Sequence, residues 1–278
     1  MKKYIITISF LLLLIFTLTC CTASTAGELK HRFEGFTSDS NLIAVLDDFI
    51  FYFADHKISL NDIDTRGEPN NGYLFVDGAL YFSTAKENGF FDYSLYVYSC
   101  DLYGNHQCLV FEKHGFRTHP WVTGSGESLY IEHYSTNTFD ASARVIDSYN
   151  VVTGVYQTEA TGKTTRLSDY RADSNGAYSS TYENGTLFIE DQQSNVTHRV
   201  DPTALVYEAF NDALAGFDCN FYDFYATTDD RMFFLYSIKV SGTTYPYLIC
   251  EYIPTNREIV FRSLIFADDV TYFRIVYL

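Results

Sequence analysis

Three features of the 278-residue sequence predict an all-β repeat fold. Aromatic residues are abundant, with 24 Tyr and 24 Phe but one Trp, and such rings favour strands over helices. No sustained helical period extends from Gly27 to Leu278, apart from one or two turns within Tyr207 to Leu214. A turn motif followed by alternating aliphatic and aromatic residues recurs along the chain. Together these features predict a single core built from short strands.

The turn motif is an acidic or Asn-Gly turn that joins two strands of a hairpin. Its six copies are Asp47 to Tyr52, Asp77 to Phe82, Ser125 to Tyr130, Asn184 to Ile189, Asp229 to Phe234 and Asp268 to Phe273. They recur about every 44 residues, which is the period of a four-stranded propeller blade. The sequence therefore predicts one β-propeller of six blades over residues 29–278, in which each copy joins strands A and B.

A second turn follows every copy of the motif except the last. These five turns occupy residues 64–67, 101–104, 150–154, 201–204 and 254–256. Two hairpin turns in a fixed order define strands A–B and C–D of one blade. The sixth blade ends after its second strand, and Leu29 to Phe36 is strand-like without a partner. We therefore expect this N-terminal strand to complete the last blade and close the ring.

The segment Asp77-Gly78-Ala79-Leu80-Tyr81-Phe82 resembles the repeat of uncharacterised bacterial propeller lipoproteins. Those proteins are similar to the Tyr-Trp-Thr-Asp propellers of the low-density lipoprotein receptor family, and TolB-like propellers share the pattern equally. The resemblance covers about residues 29–278 and implies the propeller architecture. The Trp-Thr-Asp part is absent, since Phe82 is followed by Ser83, so the receptor's ligand chemistry is not implied.

The N-terminus predicts export from the cytoplasm. Met1-Lys2-Lys3 is followed by an apolar run from Tyr4 to Leu18 and then by small residues, as in a secretory signal peptide. The run is shorter than the roughly 20 residues of a spanning helix. Residues 1–21 are therefore predicted to be a signal peptide, and residues 22–28 a flexible tether.

The end of this signal resembles a bacterial lipoprotein signal. In Leu18-Thr19-Cys20-Cys21 a branched apolar residue precedes Cys21 by three positions, which makes Cys21 the predicted lipidated residue. Cys20 is the alternative lipid site. Cleavage after Ala26 by an ordinary signal peptidase, with release of a secreted protein, is the alternative location. The favoured location is extracytoplasmic, anchored to the bacterial membrane by lipid.

Composition excludes several classes of partner. The chain has 35 acidic and 19 basic residues and a net charge of −16, so it repels nucleic acid and anionic lipid surfaces. The seven His are scattered and no cysteine pair has the spacing of a zinc site, so no metal is expected. Nucleotide-binding motifs are absent and no cofactor is expected. We expect a monomer.

Cys100 and Cys108 flank a tight turn, and two interpretations stay open. If the loop is Leu102-Tyr103-Gly104, the two sulfur atoms are diagonal, whereas a loop shifted one residue on places them opposite each other and allows a disulfide in an oxidising compartment. Without a bridge, both cysteines are small buried hydrophobes.

The predicted ligand face is formed by the B–C loops, which are long and aromatic in blades two, three and five. Unequal insertions on one face of a repeat protein are typical of a binding surface. The candidate residues are Phe90, Phe91, Asp92, Tyr93, Trp121, Tyr134, Phe139, Asp140 and Tyr245. Packing of these rings against neighbouring blades is the alternative.

The favoured function is a surface-tethered binding module for a glycan, a peptide or an envelope protein. A propeller glycosidase or lyase is one alternative, and it requires carboxylates that converge at the channel mouth. Asp92, Asp140 and Asp223 are the candidates for such a group. A structural subunit of an envelope assembly is the third possibility, which predicts a flat apolar patch.

Overall fold

A computed structural model describes residues 25–47, 49–170, 178–227, 229–241, 245–267, 270 and 273–278. Within these ranges the chain forms five antiparallel sheets and two α-helices, α1 (Ala26–Arg32) and α2 (Pro202–Leu214). Single 3-10 turns occur at Leu60–Asp62, Ala141–Ala143 and Leu167–Tyr170. No helix in the described part of the chain is long and apolar enough to cross a membrane.

The five sheets follow the chain in order, and sheets 2 to 5 are meanders of consecutive strands. Sheet 1 contains β1 (Leu42–Leu46), β2 (Ile50–Tyr52), β3 (Lys57–Ser59) and the C-terminal β19 (Phe273–Tyr277). Sheet 2 contains β4 (Glu68–Val76), β5 (Ala79–Gly89), β6 (Asp92–Asp101) and β7 (Cys108–Phe116). Sheet 3 contains β8 (Trp121–Ser125), β9 (Ser128–Tyr134), β10 (Arg144–Asn150) and β11 (Tyr156–Thr161). Sheet 4 contains β12 (Tyr178–Glu183), β13 (Thr186–Asp191) and β14 (Thr197–Val200). Sheet 5 contains β15 (Asp218–Ala226), β16 (Met232–Lys239), β17 (Tyr245–Ile253) and β18 (Glu258–Ala267).

Hydrophobic clusters pack these sheets face to face. Side chains alternate along a strand, so β1 uses both of its faces. Ile43 packs with Phe82 of sheet 2, whereas Ala44 packs with Phe233 of sheet 5. Two further clusters join sheet 2 to sheet 3 and sheet 4 to sheet 5. The edge strands β4, β8, β15 and β19 line one shared cavity, so the sheets stand around an axis. The fold is the predicted all-β propeller, and sheets 1 to 5 are its blades 1 to 5.

The ring is closed by the C-terminal strand. The strand order of blade 1 is β19-β1-β2-β3, so the end of the chain supplies its inner strand and the N-terminal part supplies the other three. The antiparallel register pairs Leu42 with Tyr277 and Leu46 with Phe273. Beyond the last pair, the Leu278 N–H donates to the Asn41 carbonyl oxygen at 2.9 Å.

The expected number of blades is not confirmed, and the expected closing strand was wrong. The described residues form five sheets, not six, and the predicted closing strand Leu29 to Phe36 instead begins within helix α1. Residues Leu264 to Ala267, which directly precede the sixth copy of the turn motif, belong to β18 and do not begin a separate blade. The last copy of the turn motif therefore falls in the link between β18 and β19, where Asp268 and Asp269 lie outside the described residues.

The first copy of the motif was also assigned to the wrong turn. Asp47 follows β1, and because β1 is the second strand of blade 1, this turn is a B–C connection. Asp48 lies outside the described residues. The four middle copies do join strands A and B, as predicted. Asp77 and Asn184 there adopt φ values of 50° and 49°, each followed by a Gly, which is the geometry of a tight two-residue hairpin.

Helix α1 anchors the N-terminal segment to blade 5. Thr25 accepts a hydrogen bond from the Glu28 N–H at 3.2 Å and caps the helix, which begins inside the predicted tether. Leu29 is fully buried in the core that α2 shares with blades 4 and 5. The ring of Phe33 stacks on Phe261 of β18 at 5.8 Å.

Helix α2 lies after the three strands of blade 4. Asp201 accepts a hydrogen bond from the Ala204 N–H at 2.9 Å, and Pro202 occupies the first turn of the helix. Asp followed by Pro was predicted as a C–D turn, but the same pair is also a strong helix start. Val206 and Leu214 are buried on the blade 5 side. The helix is therefore longer than the one or two turns predicted around Tyr207 to Leu214.

The cysteine bridge is not formed. Cys100 and Cys108 are both free, because the register places Cys108 opposite Ser99, whose Oγ lies 3.0 Å from the Cys108 sulfur. Cys100, one position further along, points into the core. Burial there raises the pKa of the Cys100 thiol to about 11, so the thiol is protonated and unreactive near neutral pH.

Blades 2 and 3 approach closely at their inner strands. A Cβ atom added at Gly124 of β8 would lie 1.9 Å from the carbonyl oxygen of Tyr73 in β4. This contact involves backbone atoms, which cannot move aside as a flexible side chain does. Gly124 is therefore required by the distance between the two strands rather than by a turn.

We predict that Gly124→Ala destabilises the protein by about 1–3 kcal/mol or more, since overpacking costs at least that much where the backbone is the obstacle. Urea unfolding monitored by circular dichroism measures the change. Gly35→Ala is the matched control, because an added Cβ there meets no atom within 4 Å. Equal urea unfolding midpoints for the two variants would show that β4 and β8 do not approach each other this closely.

Candidate functional site

An aromatic row lies where blades 2 and 3 meet, at the end of the propeller that carries the B–C loops. We define the aromatic row as Tyr93, His119, Trp121, Tyr134 and Phe139. Its members come from the start of β6, the link before β8, the start of β8, the end of β9 and the loop after β9. Four of the five are residues that the sequence predicted for the ligand face, and His119 is the addition.

The rings of the row contact one another in sequence. Tyr93 and His119 have ring centroids 5.9 Å apart, and His119 lies 5.8 Å from Trp121. Trp121 in turn lies 5.8 Å from Phe139 and 6.4 Å from Tyr134, while Tyr134 and Phe139 are 5.4 Å apart. These separations and mostly edge-to-face angles are typical of favourable aromatic pairs.

The row has an exposed upper side and a buried floor. Trp121 is 40% exposed and Phe139 is 67% exposed, whereas Tyr134 is only 6% exposed. Tyr134 is therefore a packed ring, as the alternative interpretation of the ligand-face residues predicted, whereas Trp121 and Phe139 are not. Trp121 and Phe139 therefore form one contiguous apolar patch that is exposed to solvent, and such patches are typical of interaction sites.

Hydrogen bonds fix the floor of the row. The Tyr134 hydroxyl accepts from Nη2 of Arg144 at 3.3 Å, and the guanidinium also lies 5.8 Å from the Tyr134 ring. The Tyr134 N–H donates to Oγ1 of Thr118, a buried residue next to His119. Because these contacts come from three segments, the floor is held rigidly before any ligand arrives.

The loop that carries Phe139 is also constrained. The Ser135 N–H donates to the Ala143 carbonyl at 2.8 Å and closes the base of the loop. Asp140 accepts from the Ser142 N–H at 2.9 Å and caps the single 3-10 turn that follows. Hydrogen bonds from Ser142 lower the pKa of Asp140, with Lys163 contributing, so this carboxylate is ionised at neutral pH.

The charge state of His119 suits an apolar contact surface. Burial beside its neighbours lowers the pKa of His119, so the imidazole is neutral at and above neutral pH. A neutral ring can stack on a ligand without the cost of removing water from a charge. His119 was not among the residues predicted for the ligand face, because no periodic pattern marks a link between blades.

The other predicted residues lie apart from the row. Phe90 and Phe91 form the tip of the β5–β6 hairpin with ring centroids 4.0 Å apart, and Phe90 is 88% exposed. Asp92 is exposed at the start of β6. Tyr245 is exposed at the start of β17 in blade 5. Within the described residues, no ring contact joins any of these to the row.

A charged cleft of about 410 Å³ lies next to the Phe139 loop. Glu132, Arg144, Lys163 and Arg166 line it. Nη1 of Arg144 donates to the Thr165 carbonyl at 2.6 Å, and Glu132 accepts from the Leu167 N–H at 3.0 Å. The cleft was not predicted, because its cations are separated in sequence and are brought together by the link after β11.

Asp147 forms a buried network within blade 3. It accepts hydrogen bonds from Thr158 Oγ1 at 2.7 Å and from the Tyr156 hydroxyl, and its Oδ2 lies 2.9 Å from His133 Nε2. Burial opposes ionisation, but the bonds from His133, Tyr156 and Thr158 outweigh it and lower the pKa of Asp147. A fully satisfied network of this kind holds strands in one geometry. It stabilises β9, the strand that ends at Tyr134.

The three carboxylates proposed for a hydrolase do not share a contact. Asp140 caps the loop described above, and Asp92 lies at the β5–β6 hairpin. Asp223 lies at a bulge in β15, where it accepts from the Phe224 N–H at 2.8 Å and where burial raises its pKa. In the part of the chain that the structure describes, no hydrogen bond or ion pair joins any two of them. Within the described ranges of the chain, no group of three His, Cys, Asp or Glu side chains could hold a metal ion.

No protein-family model matches the sequence, and no curated protein matches it. Among solved structures, the chain is similar to a subtype N10 neuraminidase-like protein of A/little yellow-shouldered bat/Guatemala/060/2010. That match has 8% sequence identity and a TM-score of 0.27, and it covers 71% of this chain and 72% of that chain. The tricorn protease is similar at 12% identity with a TM-score of 0.23, over 76% of this chain but only 20% of that chain. At TM-scores this low neither similarity carries an argument about this chain, and the fold rests on the sheet packing described above.

Proposed function

We propose that the protein is an extracytoplasmic binding module and that its ligand contacts the aromatic row. The observation that supports this most directly is that Trp121 and Phe139 contact each other while both stay exposed. Packed aromatic rings in a protein core lose most of their exposed surface, and these two keep 40% and 67% of theirs. Covering them with a ligand would remove apolar surface from water at little cost in ordering.

A glycan or an extended peptide fits this surface best. Trp and Phe rings offer flat apolar faces, and such anchors carry a large share of the binding energy when they are desolvated. Asp140 and the cations of the neighbouring cleft provide polar groups at the edge of the rings. The row is narrow and follows the junction of two blades, which favours a linear ligand over a broad protein interface.

The two alternative functions have less support. A glycosidase or lyase needs two carboxylates placed around one bond, and the row brings none together. A structural subunit needs a wide flat apolar patch, whereas the exposed rings here form separate features at the row, at Phe90 and at Tyr245.

We predict that ligand binding changes the fluorescence of Trp121, which is the only Trp in the chain. A ligand selected from glycan and peptide arrays would be titrated while the emission is followed. Phe139→Ala should weaken binding by about tenfold or more, since truncating a central aromatic anchor commonly costs roughly 2 kcal/mol. The loop that carries it is held by backbone hydrogen bonds, so the melting temperature should change little.

The matched control is Val152→Ala, which removes an exposed apolar side chain at the turn between β10 and β11, on the opposite face. That variant should bind as the parent does. Array ligands whose affinity is unchanged by Phe139→Ala, or binding without any change in Trp121 emission, would place the site elsewhere.

We also propose that a lipid on Cys21 tethers the module to the outer side of a bacterial membrane. The support is the cationic start, the apolar run and the position of Leu18 three residues before Cys21. The resemblance to bacterial lipoproteins with receptor-type or TolB-like propellers agrees with this location. Residues 1–24 lie outside the described part of the chain.

Mass spectrometry of the membrane fraction from a bacterial host should detect a diacylglycerol adduct on Cys21 as the first residue. Cys21→Ala should abolish the adduct and release the protein, whereas the neighbouring Cys20→Ala should retain it. An adduct that is lost only in Cys20→Ala would show that Cys20, and not Cys21, is the lipidated residue. A soluble, unmodified product that begins at Gly27 would contradict the lipid anchor.

A further inference from the structure

The described chain begins at the end of the propeller that carries the B–C loops. Thr25 forms an isolated parallel bridge with Ser241, which lies between β16 and β17. These are the second and third strands of blade 5, so Ser241 belongs to a B–C connection. Helix α1 starts directly after Thr25 and fixes this point, because Leu29 is fully buried in the core of blades 4 and 5.

The proposed lipid site is close to this end in the sequence. Three residues, Thr22, Ala23 and Ser24, separate Cys21 from Thr25. An extended chain spans at most about 3.6 Å per residue, so Cys21 lies at most about 14 Å from Thr25. A lipid on Cys21 therefore holds the B–C end of the propeller near the bilayer, whereas the A–B and C–D turns lie at the opposite end.

The hairpin of β5 and β6 projects from the same B–C end. The last four residues of β5, Lys86 to Gly89, are all exposed, whereas the middle of the strand is buried. Since side chains alternate between the two faces of a strand, neither face of the hairpin end is covered. Phe90 at the turn is 88% exposed, and its ring centroid lies 4.0 Å from that of Phe91. We define these two residues as the Phe tip.

The backbone of the Phe tip is unusual for two large side chains. Phe91 has a φ of 57°, a left-handed conformation that favours Gly, Asn or Asp and is unfavourable for a bulky residue. Strained residues of this kind cluster at functional sites. Phe90 is too exposed to contribute to the core, so an apolar pair held in this conformation indicates a contact outside the propeller.

The charges around the Phe tip select the kind of surface that it contacts. Lys86, Glu87 and Asp92 flank the tip and carry one positive and two negative charges. The whole chain carries a net charge of −16, so an anionic lipid surface repels both the tip and the protein. A zwitterionic headgroup layer does not. Apolar side chains at such a surface are buried about 5–10 Å into the boundary between headgroups and acyl chains.

We propose that the Phe tip is a membrane-contact site that enters the interface of a zwitterionic phospholipid bilayer. The contact rests on the lipid anchor proposed above, which brings this end of the propeller to the bilayer. The anchor leaves the protein beside blade 5 and the tip belongs to blade 2, so the two contacts together fix the orientation of the propeller. The aromatic row lies at the same end, and its ligand is therefore bound near the bilayer surface.

Two single-Trp variants measure which end of the propeller contacts lipid. Trp121→Phe with Phe90→Trp places the only Trp at the Phe tip. Trp121→Phe with Val152→Trp is the matched control, because Val152 is exposed at the turn between β10 and β11, at the opposite end. The protein extracted from bacterial membranes, with its lipid adduct verified by mass spectrometry, is reconstituted into phosphatidylcholine vesicles. Brominated acyl chains in these vesicles quench a Trp that contacts them.

Relative to vesicles without bromine, the emission of the Phe90→Trp variant should fall at least about twofold, since an inserted ring reaches the acyl chains. The emission of the Val152→Trp variant should stay unchanged. Replacing half of the phosphatidylcholine by anionic phosphatidylglycerol should reduce the quenching of the Phe90→Trp variant, and an increase would contradict the zwitterionic surface.

Equal quenching of the two variants, or no quenching of the Phe90→Trp variant in lipidated protein, would overturn the membrane contact and leave the lipid anchor intact. A soluble product without lipid would overturn the anchor and the membrane contact together. The two failures are therefore distinguished by the mass of the protein before reconstitution.

Discussion

The pairing of β1 with β19 is the contact on which the rest of the propeller depends. Each blade buries its two faces against its neighbours, so a ring of blades is stable only when its first and last members are joined. The joint consists of five residue pairs between the two ends of the chain. Pairing with β19 covers one edge of β1, and unpaired sheet edges are the usual sites of unwanted strand pairing.

Charged side chains reinforce the same joint. Glu251 of β17 is buried and accepts from Nε of Arg262 at 2.8 Å, and Arg262 also lies 3.3 Å from Asp39, the acceptor of the Tyr277 hydroxyl. This network joins blade 5, the segment before β1 and the closing strand. Removing Arg262 would take one cation from two largely buried carboxylates, Glu251 and Asp39, and breaking a buried ion pair destabilises a fold. These ion pairs and hydrogen bonds stabilise the ring beside the pairing of β1 with β19.

The aromatic row depends on blade 3 more than on the closure of the ring. The buried Asp147 network and the Arg144–Tyr134 contact, both within blade 3, hold Tyr134 and the strand that carries it. Damage to the closure should therefore affect the row only through overall stability.

Local turn chemistry in the sequence predicted the propeller but not its register. The hairpins at Asp77-Gly78 and Asn184-Gly185 are where they were expected, because φ > 0 in a two-residue turn demands such residues. The same residue types also serve B–C turns and links between blades, so Asp47 and the link after β18 were counted as A–B turns and six blades were predicted. Asp201-Pro202 starts a helix for a similar reason, since capping and turn formation use the same side chain.

The candidate site was predictable where it depends on composition and not where it depends on packing. Trp121 and Phe139 stand out in the sequence as rings beside long loops. His119 and Arg144 are single polar residues on a link and a strand, and only the arrangement of the strands brings them to the aromatic row. Which of the predicted rings belong together was likewise decided by the blade junction, which groups Tyr93 with Trp121 and leaves Phe90 apart.

Closure of the ring by the C-terminal strand is tested most directly by a disulfide trap. Ala44 and Ile275 are paired in the register, so Ala44→Cys with Ile275→Cys should form a bond on mild oxidation, detected by mass spectrometry of the unreduced protein. The background would carry Cys108→Ser to remove the exposed thiol. Ala44→Cys with Val276→Cys, which points to the other face of β19, should remain reduced. Equal trapping in both pairs, or none in the first, would contradict closure by β19.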